Sequence, residues 1–330
     1  MVTIADVAKL AGLSRATVSR VINDYPYVAE EKKQRVIEAM NELGYSPNSS
    51  AQRLRTQKTN TIAVLVPRLV NPFFAYLVEG IEFIAMENDL QLLICQTKSD
   101  KDKEIKFLNL LKTKQVDGLI MTSIENEWEV VQSYLQYGPI LLCNEYHPKA
   151  EVPMIGLNQE HGSYLGTRHL IERGHKKIAF CFGGTNSSLG EDREKGYLRA
   201  LQEFGLKSKD EWYYYKDYSI EDGKKALRKF MSLKERPTAV FTGSDEMAAG
   251  MLQEAKKYGL EIPRDLALLG FDDQPIASLL DPALTTIHQP AVEIGKKAMN
   301  VMSDMLQKKV SWQTKQLYEL PIELIVREST

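Results

Sequence analysis

The chain of 330 residues has little of what defines several large protein classes. Its three cysteines, Cys95, Cys143 and Cys181, are odd in number and far apart, which argues against a disulfide framework and makes the cytoplasm the expected compartment. Each closes or interrupts an apolar run (LLIC, ILLC, IAFCF), which predicts buried, reduced thiols in strands, and no two have zinc-ligand spacing. The five histidines are scattered, and His169 and His175 in HLIERGH have no partner set that suggests a metal site. No apolar run approaches the ~20 residues of a membrane span, so no membrane partner is expected. The N-terminal MVTIADVAKLAG alternates polar and apolar residues instead of forming a signal-peptide core. There is no GxGxxG or Walker A pattern, and Gly183-Gly184 after a strand-like run reads as a turn. No nucleophile–base pair or metal cluster supports an enzyme, and no cofactor is expected. Ordinary glycine (20) and proline (13) content with 43% hydrophobic residues excludes collagen-like, low-complexity and strongly disordered chains. The net charge of −2, taken whole, argues against nucleic acid.

The distribution of charge says otherwise. Residues 1–58 hold nine basic and six acidic side chains, a small head of +3 on a body of −5. In the head, Ile4, Val7, Ala8 and Ala11 lie on one helical face after Thr3 as N-cap, and Gly12 breaks that helix. Ser14 caps a second helix with an apolar face of Val18, Val21 and Ile22, ending near Asn23-Asp24. A third run from about Glu30 to Leu43 is expected to bury Val36, Met40 and Leu43 and to stop at Gly44. Two short helices about a glycine turn, braced by a third, make a helix-turn-helix, and Arg15, Thr17, Ser19 and Arg20 on the exposed face of the second suit phosphates and base edges. A three-helix bundle without a ligand is the alternative.

Beyond residue 60, β-branched runs at 61–67, 90–95, 116–121 and 139–143 alternate with amphipathic stretches such as Phe74–Glu87 and Lys103–Lys112. A second series follows at 177–182, 238–243 and 266–273, with helical patterns at Tyr164–Arg173 and Lys195–Phe204. Two such series predict two doubly wound parallel-sheet subdomains, with polar residues just after the strands as the ligand-facing ones.

TIADVAKLAGLSRATVSRVIN at 3–23 resembles the DNA-binding signature of the LacI/GalR family of bacterial transcription regulators, and YSPNSSAQRLR at 45–55 its hinge. The likeness continues through NPFFAYLVEGIE (71–82), HLIERGHKKIAF (169–180), SDEMAAGM (244–251), GFDD (270–273), LTTIHQP (284–290) and LPIELIVRES (320–329). It implies an all-α head over 1–46, a hinge over 47–59, and a periplasmic-binding-protein-like core over 60–330. In that core an N-subdomain spans about 60–158 and 289–318 and a C-subdomain about 159–288 and 319–330, with crossovers near 158–162, 285–289 and 318–320. It also implies a dimer on a palindromic operator with a central CG step. Arg15 and Ala16 would lie nearest the base edges, Thr17, Ser19 and Arg20 on bases or phosphates. Thr3, Ser14, Asn23, Tyr45 and Asn48 complete the contact set. In the hinge, too short for a stable isolated helix, Leu54 matches the family's minor-groove wedge and Ala51 the small residue between paired helices.

In the core the resemblance carries eight effector contacts. Phe73, Phe74 and Asn144 come from the first subdomain, Arg193, Tyr218, Ser244 and Asp272 from the second, and Gln289 from a crossover. An aromatic face with planar hydrogen-bonding groups suits a polyhydroxylated ring, so a sugar or sugar phosphate is the expected effector of a repressor of carbohydrate-utilisation genes. A purine effector or a protein corepressor is the alternative. Ser244 where many relatives have Asn, Asn144 where many have Asp, and Asn158-Gln159 for a frequent Asp-Asn soften any choice of sugar. No leucine-heptad tail follows, which makes a dimer and not a tetramer the expectation.

Overall fold

The structure, a computed structural model, describes residues 2–23, 25–46, 58–182, 187–215 and 219–330. The chain divides into two compact units, Met1–Thr59 and Asn60–Thr330.

The first unit contains α1 (Ile4–Ala11), α2 (Arg15–Ile22) and α3 (Glu30–Leu43). Thr3 and Asp6 close a reciprocal cap at the start of α1, the Thr3 amide and hydroxyl both donating to the Asp6 carboxylate at 2.9 and 2.7 Å. Gly12 ends α1 with φ of 61°, a left-handed turn that a side chain resists. Val7, Ala8, Ala11, Val18, Val36 and Ala39 form the core, with Met40, Leu43 and Tyr45 half-buried against it. The buried pair on α3 is thus Val36 and Ala39, with the expected Met40 and Leu43 at the edge of the cluster. Arg35 donates to the Ala11 carbonyl at 2.7 Å, satisfying an orphan acceptor at the end of α1.

The second unit has two lobes, each built on a six-stranded sheet. In order, its elements begin β1 (Thr61–Val66), α4 (Pro72–Glu87), β2 (Gln91–Gln96), α5 (Lys101–Lys112), β3 (Gly118–Met121), α6 (Trp128–Gln132), β4 (Ile140–Cys143) and β5 (Pro153–Leu157). The chain then crosses into α7 (Gln159–Glu172), β6 (Ile178–Phe182), α8 (Ser188–Glu203), β7 (Tyr213–Tyr215), α9 (Ile220–Ser232), β8 (Ala239–Thr242), α10 (Asp245–Lys257), β9 (Ala267–Asp272), α11 (Pro275–Leu279) and β10 (Thr285–His288). It returns through α12 (Ala291–Leu306) and β11 (Gln316–Leu320) and crosses once more to β12 (Glu323–Ile325). The sheet orders are β11-β5-β4-β3-β1-β2 and β12-β10-β9-β8-β6-β7.

Every pairing is parallel except β10 with β12. That departure from two purely parallel sheets follows from connectivity. β11 delivers the chain to the carboxyl edge of the first sheet, so β12 enters the second sheet at its carboxyl edge and runs backwards. The last passage therefore falls after Leu320, since Gln316–Leu320 pairs in full with β5, and the second falls at 289–290, since 285–288 is strand β10. β5, β7, β10, β11 and β12 carry little periodicity, being three to five residues long. α7 and α8 begin earlier than their amphipathic stretches, at Gln159 and Ser188, because their first turns carry small buried residues such as Gly162 and Gly190 instead of an apolar stripe.

Both sheets are covered on both faces, as buried parallel sheets require. Along β1, Ile62, Val64 and Val66 join Leu77, Ile81, Ile294 and Met302, while Ala63 and Leu65 join Leu108, Leu111, Trp128 and Val131; this is the period of two of a strand. In the second lobe Phe180, Phe182, Phe241 and Phe271 pack with Tyr197 and Leu201 on one face, and Cys181, Val240 and Leu268 with Phe230, Met247 and Met251 on the other. Glycines let helices touch: a Cβ on Gly80 would lie 2.0 Å from the Val292 carbonyl, and one on Gly196 2.1 Å from that of Glu160. The three cysteines are free and buried, on β2, β4 and β6; burial lifts the Cys95 thiol to about 11 and those of Cys143 and Cys181 further. Among the described residues no helix is long and apolar enough to cross a membrane.

Candidate functional site

In the head, α2 carries the exposed polar face. Val18 is buried while Arg15, Ala16 and Arg20 are exposed and Thr17 and Ser19 half-exposed, so one side of the helix holds the fold and the other is available. Ser14 caps α2, its Oγ accepting the Thr17 N–H at 3.1 Å and pairing with the Thr17 hydroxyl at 2.9 Å. Those two residues therefore have a local structural role besides any contact with DNA. Asn23 ends the helix by donating to the Ser19 carbonyl and, at 3.3 Å, to its hydroxyl. The Arg20 guanidinium lies 6.0 Å from the Tyr25 ring centre. Thr3 is exposed within its cap, whereas Tyr45 is half-buried against the core, with its amide donating to the Met40 carbonyl at 2.8 Å. Asn48, Ala51 and Leu54 lie outside the described residues.

In the second unit the polar residues gather at the carboxyl ends of the strands of both lobes, where open α/β sheets bind ligands. Arg193, on α8, is 6% exposed; its Nε donates to Gln159 Oε1 at 2.7 Å and its Nη1 to the Gly243 carbonyl at 3.3 Å. Its guanidinium lies 3.6 Å from the centre of the Phe271 ring, a stacked position that fixes its plane. Gln159 passes the connection on, its Nε2 donating to Gln289 Oε1 at 2.9 Å, and Gln289 Nε2 donates to Asp272 Oδ1 at 2.6 Å. Gln274 Nε2 reaches the other oxygen of Asp272 at 3.0 Å. Gln159 and Gln289 follow β5 and β10, so two of the three passages between lobes are tied into one network.

Burial raises the Asp272 carboxyl to about 6, with Arg193, Gln289 and Gln274 pulling the other way. Its φ of 106° is a left-handed backbone conformation that an L-residue holds only at a cost. The network thus brings together three expected residues, Arg193, Asp272 and Gln289. Asn144, 8% exposed with φ of 72°, ends β4, and its amide donates to the Ile155 carbonyl at 2.8 Å. Ser244 caps α10, its Oγ accepting the Met247 N–H at 3.1 Å. Phe73 is buried in the first lobe's core and Phe74 half-buried against it, the two rings edge to face at 5.2 Å. Phe73 therefore offers packing more than an open aromatic face. Tyr218 lies outside the described residues.

Three residues were not expected here, and Gln159, singled out in the sequence only as a departure at the first crossover, joins them. Gln159 and Gln274 complete the network. Asp245 is fully buried, accepting the Thr286 hydroxyl at 2.5 Å and the Gln274 amide at 2.6 Å; burial and the charge of Asp272 push its carboxyl well above the usual range. A Cβ at position 270 would lie 2.1 Å from Asp245 Oδ1, so the glycine of GFDD makes room for that carboxyl. Glu145, 8% exposed, accepts the Ile124 amide at 3.3 Å, and burial lifts it to about 7. Next to it the lobes are clasped directly: the Tyr146 hydroxyl donates to Asp192 at 2.6 Å and the Ser188 hydroxyl to the Tyr146 carbonyl at 2.7 Å. The only signal for these residues in the sequence is their position just after a strand.

A helix-turn-helix unit and a two-lobed unit with a buried polar network between its lobes, in one chain, are the organisation of a DNA-binding transcription regulator. Residues 59–322 match the family described as periplasmic binding proteins and sugar binding domain of the LacI family, and residues 3–48 the bacterial regulatory proteins of the lacI family. The chain is 44% identical over 330 residues, the whole of both chains, to the NTD biosynthesis operon regulator NtdR of Bacillus subtilis (strain 168). It is 35% identical over 331 residues, all of this chain and 99% of the other, to catabolite control protein A of Priestia megaterium. Among solved structures, the Lac repressor dimer bound to operator and the anti-inducer ONPF superposes with a TM-score of 0.89 at 26% identity, covering 99% of this chain and 98% of that one. The CelR–cellobiose complex gives 0.75 at 27% identity over the whole of both chains. The protein belongs to the LacI family of bacterial transcription regulators; it is a DNA-binding regulator and not an enzyme.

Proposed function

We propose that the protein is a homodimeric repressor of carbohydrate-utilisation genes whose operator affinity is set by a sugar held between the two lobes. The observation that carries this reading is the hydrogen-bonded chain Arg193–Gln159–Gln289–Asp272. It lines the meeting place of the lobes with directional donors and acceptors, ties two interlobe passages together, and suits a ring bearing several hydroxyls. A ligand that binds one lobe arrangement better than another shifts the equilibrium between them by that difference in affinity. The cellobiose named for CelR is a sugar in the same fold. Dimerisation is supported by the exposed apolar side chains Tyr76, Phe83 and Met86, which recur at helical spacing along α4.

On DNA, Arg15 and Ala16 at the start of α2 would face base edges, Arg15 bidentate to guanine, with Thr17, Ser19 and Arg20 fixing register. Thr3, Ser14, Asn23, Tyr45 and Asn48 would complete the contacts. Leu54 would wedge into a central CG step, with Ala51 letting the paired hinges approach. Between the lobes, Phe74, Asn144, Arg193, Tyr218, Ser244, Asp272 and Gln289 would contact the effector, while Phe73 packs in the first lobe's core. The head is residues 1–46, the hinge 47–59 and the effector core 60–330. The test is operator selection from random duplexes, with and without a sugar panel, for the wild type and Arg15→Ala. A palindrome with a central CG step, sugar-dependent enrichment, and altered base preference in the variant are expected. No enrichment overturns the reading, and an unchanged base preference in Arg15→Ala removes its base contact.

A further inference from the structure

One buried side chain beside Asp272 is built as an acceptor and left unused. Gln274 is 4% exposed and directly follows the Asp272-Asp273 turn at the carboxyl end of β9. Its amide nitrogen donates to Asp245 at 2.6 Å, which fixes the backbone, and its side-chain Nε2 donates to Asp272 Oδ2 at 3.0 Å. That second bond sets the orientation of the amide, because a carbonyl in its place would face the lone pairs of the carboxylate. Oε1 is thereby turned away from Asp272, buried, and without a hydrogen-bond partner among the described residues. Leaving a buried acceptor unmade costs free energy that a residue such as leucine or methionine would not incur, so the position calls for an explanation.

We infer that Gln274 reads the effector: its Oε1 and the Asp272 carboxylate accept hydrogen bonds from two neighbouring hydroxyls of one sugar ring. The inference rests on the cleft being a sugar site. Gln289 and Gln274 each use one lone pair on a different oxygen of Asp272, and each oxygen keeps capacity for another donor. The carboxylate and Oε1, carried by side chains that the Nε2 bond joins, are both acceptors. Such a corner takes a pair of vicinal hydroxyls and repels a phosphate or carboxylate, so an anionic group on the effector would have to point elsewhere. Discrimination arises because a ligand lacking one of the hydroxyls leaves a buried acceptor unpaired. Gln274 is thus a specificity-determining residue, positioned by Asp245 and itself holding Asp272.

The experiment is calorimetry on the full-length protein with D-glucose, D-galactose, D-ribose and cellobiose, and then with single-deoxy analogues of whichever binds best. The wild type is expected to lose about ten- to one-hundred-fold in affinity at each of two adjacent hydroxyl positions. Gln274→Met, similar in length and without the acceptor, is expected to bind the parent sugar about tenfold or more weakly and to be indifferent to one of those two positions. Its thermal transition, matched to the wild type, separates this from misfolding; should it fail to fold, the adjacent-hydroxyl pattern of the wild type still decides. If Gln274→Met keeps the wild-type affinity and both sensitivities, or the wild type shows no adjacent pair, the inference falls while the sugar reading stands. If the wild type binds none of the sugars, both fall.

Discussion

Replacing Glu145 with glutamine isolates one buried proton between the lobes. The side chain is 8% exposed and accepts the Ile124 amide at 3.3 Å, with Ser187 and Ser188 also donating to it. Burial raises its carboxyl from the ordinary 4.5 to about 7, so the folded protein holds that proton through a pH range in which the unfolded chain has released it. The sign follows: the stabilisation is fully present below 4.5 and is lost as pH rises through 7. At about 1.4 kcal/mol per pH unit, the gap between those two values amounts to about 3 kcal/mol. Glutamine keeps the acceptor and carries no charge at any pH. Glu145→Gln is therefore expected to match the wild type near pH 4.5 and to exceed it by about 3 kcal/mol at pH 8, the difference growing steadily between. Urea unfolding followed by tryptophan fluorescence measures this cleanly, since Trp128, Trp212 and Trp312 all lie in the two-lobed unit. A difference between the two proteins that is flat from pH 5 to pH 8 would refute the reasoning.

Two further outcomes follow from contacts between helices and lobes. Tyr146→Phe removes the 2.6 Å bond to Asp192, a charged acceptor, and shifts the lobes towards separation by about 1.5–3 kcal/mol; small-angle scattering of the effector-free protein should show a larger radius of gyration, and an unchanged one counts against the clasp. Gly196→Ala places a methyl 2.1 Å from the Glu160 carbonyl, so α7 and α8 must part at a cost of about 1–3 kcal/mol. Its melting temperature should fall by several degrees, and an unaltered one would mean that the helix pair gives way freely.

The head was legible in the sequence because its determinants are local. Thr3 and Asp6 are three residues apart, as are Ser14 and Thr17, and the apolar positions of α1 recur with the helical period. The longer strands were legible for the same reason, and the ordered motifs sufficed to reach the family. What escaped was the pairing within the polar network and the part that Gln159, Gln274 and Asp245 take in it. Gln159 meets Gln289 across 130 residues and Arg193 across 34, and nothing in the local pattern marks a glutamine as half of such a pair. Phe73 shows the opposite case, since an aromatic following a strand has one appearance in sequence whether it lines a cleft or fills a core.

The sequence by itself determined the helix-turn-helix, the alternation of strands and helices, the split of charge between head and body, and the family. Tertiary structure alone decided that β12 runs backwards, that Glu145 and Asp245 lie where a charge is costly, and that Gln274 turns an unused acceptor inwards. The division has one physical cause. Periodicity and capping act between residues a turn or two apart and are written in order along the chain. Burial, desolvation and long-range hydrogen bonding depend on which strand ends the topology brings together, and that is fixed only when the lobes have formed.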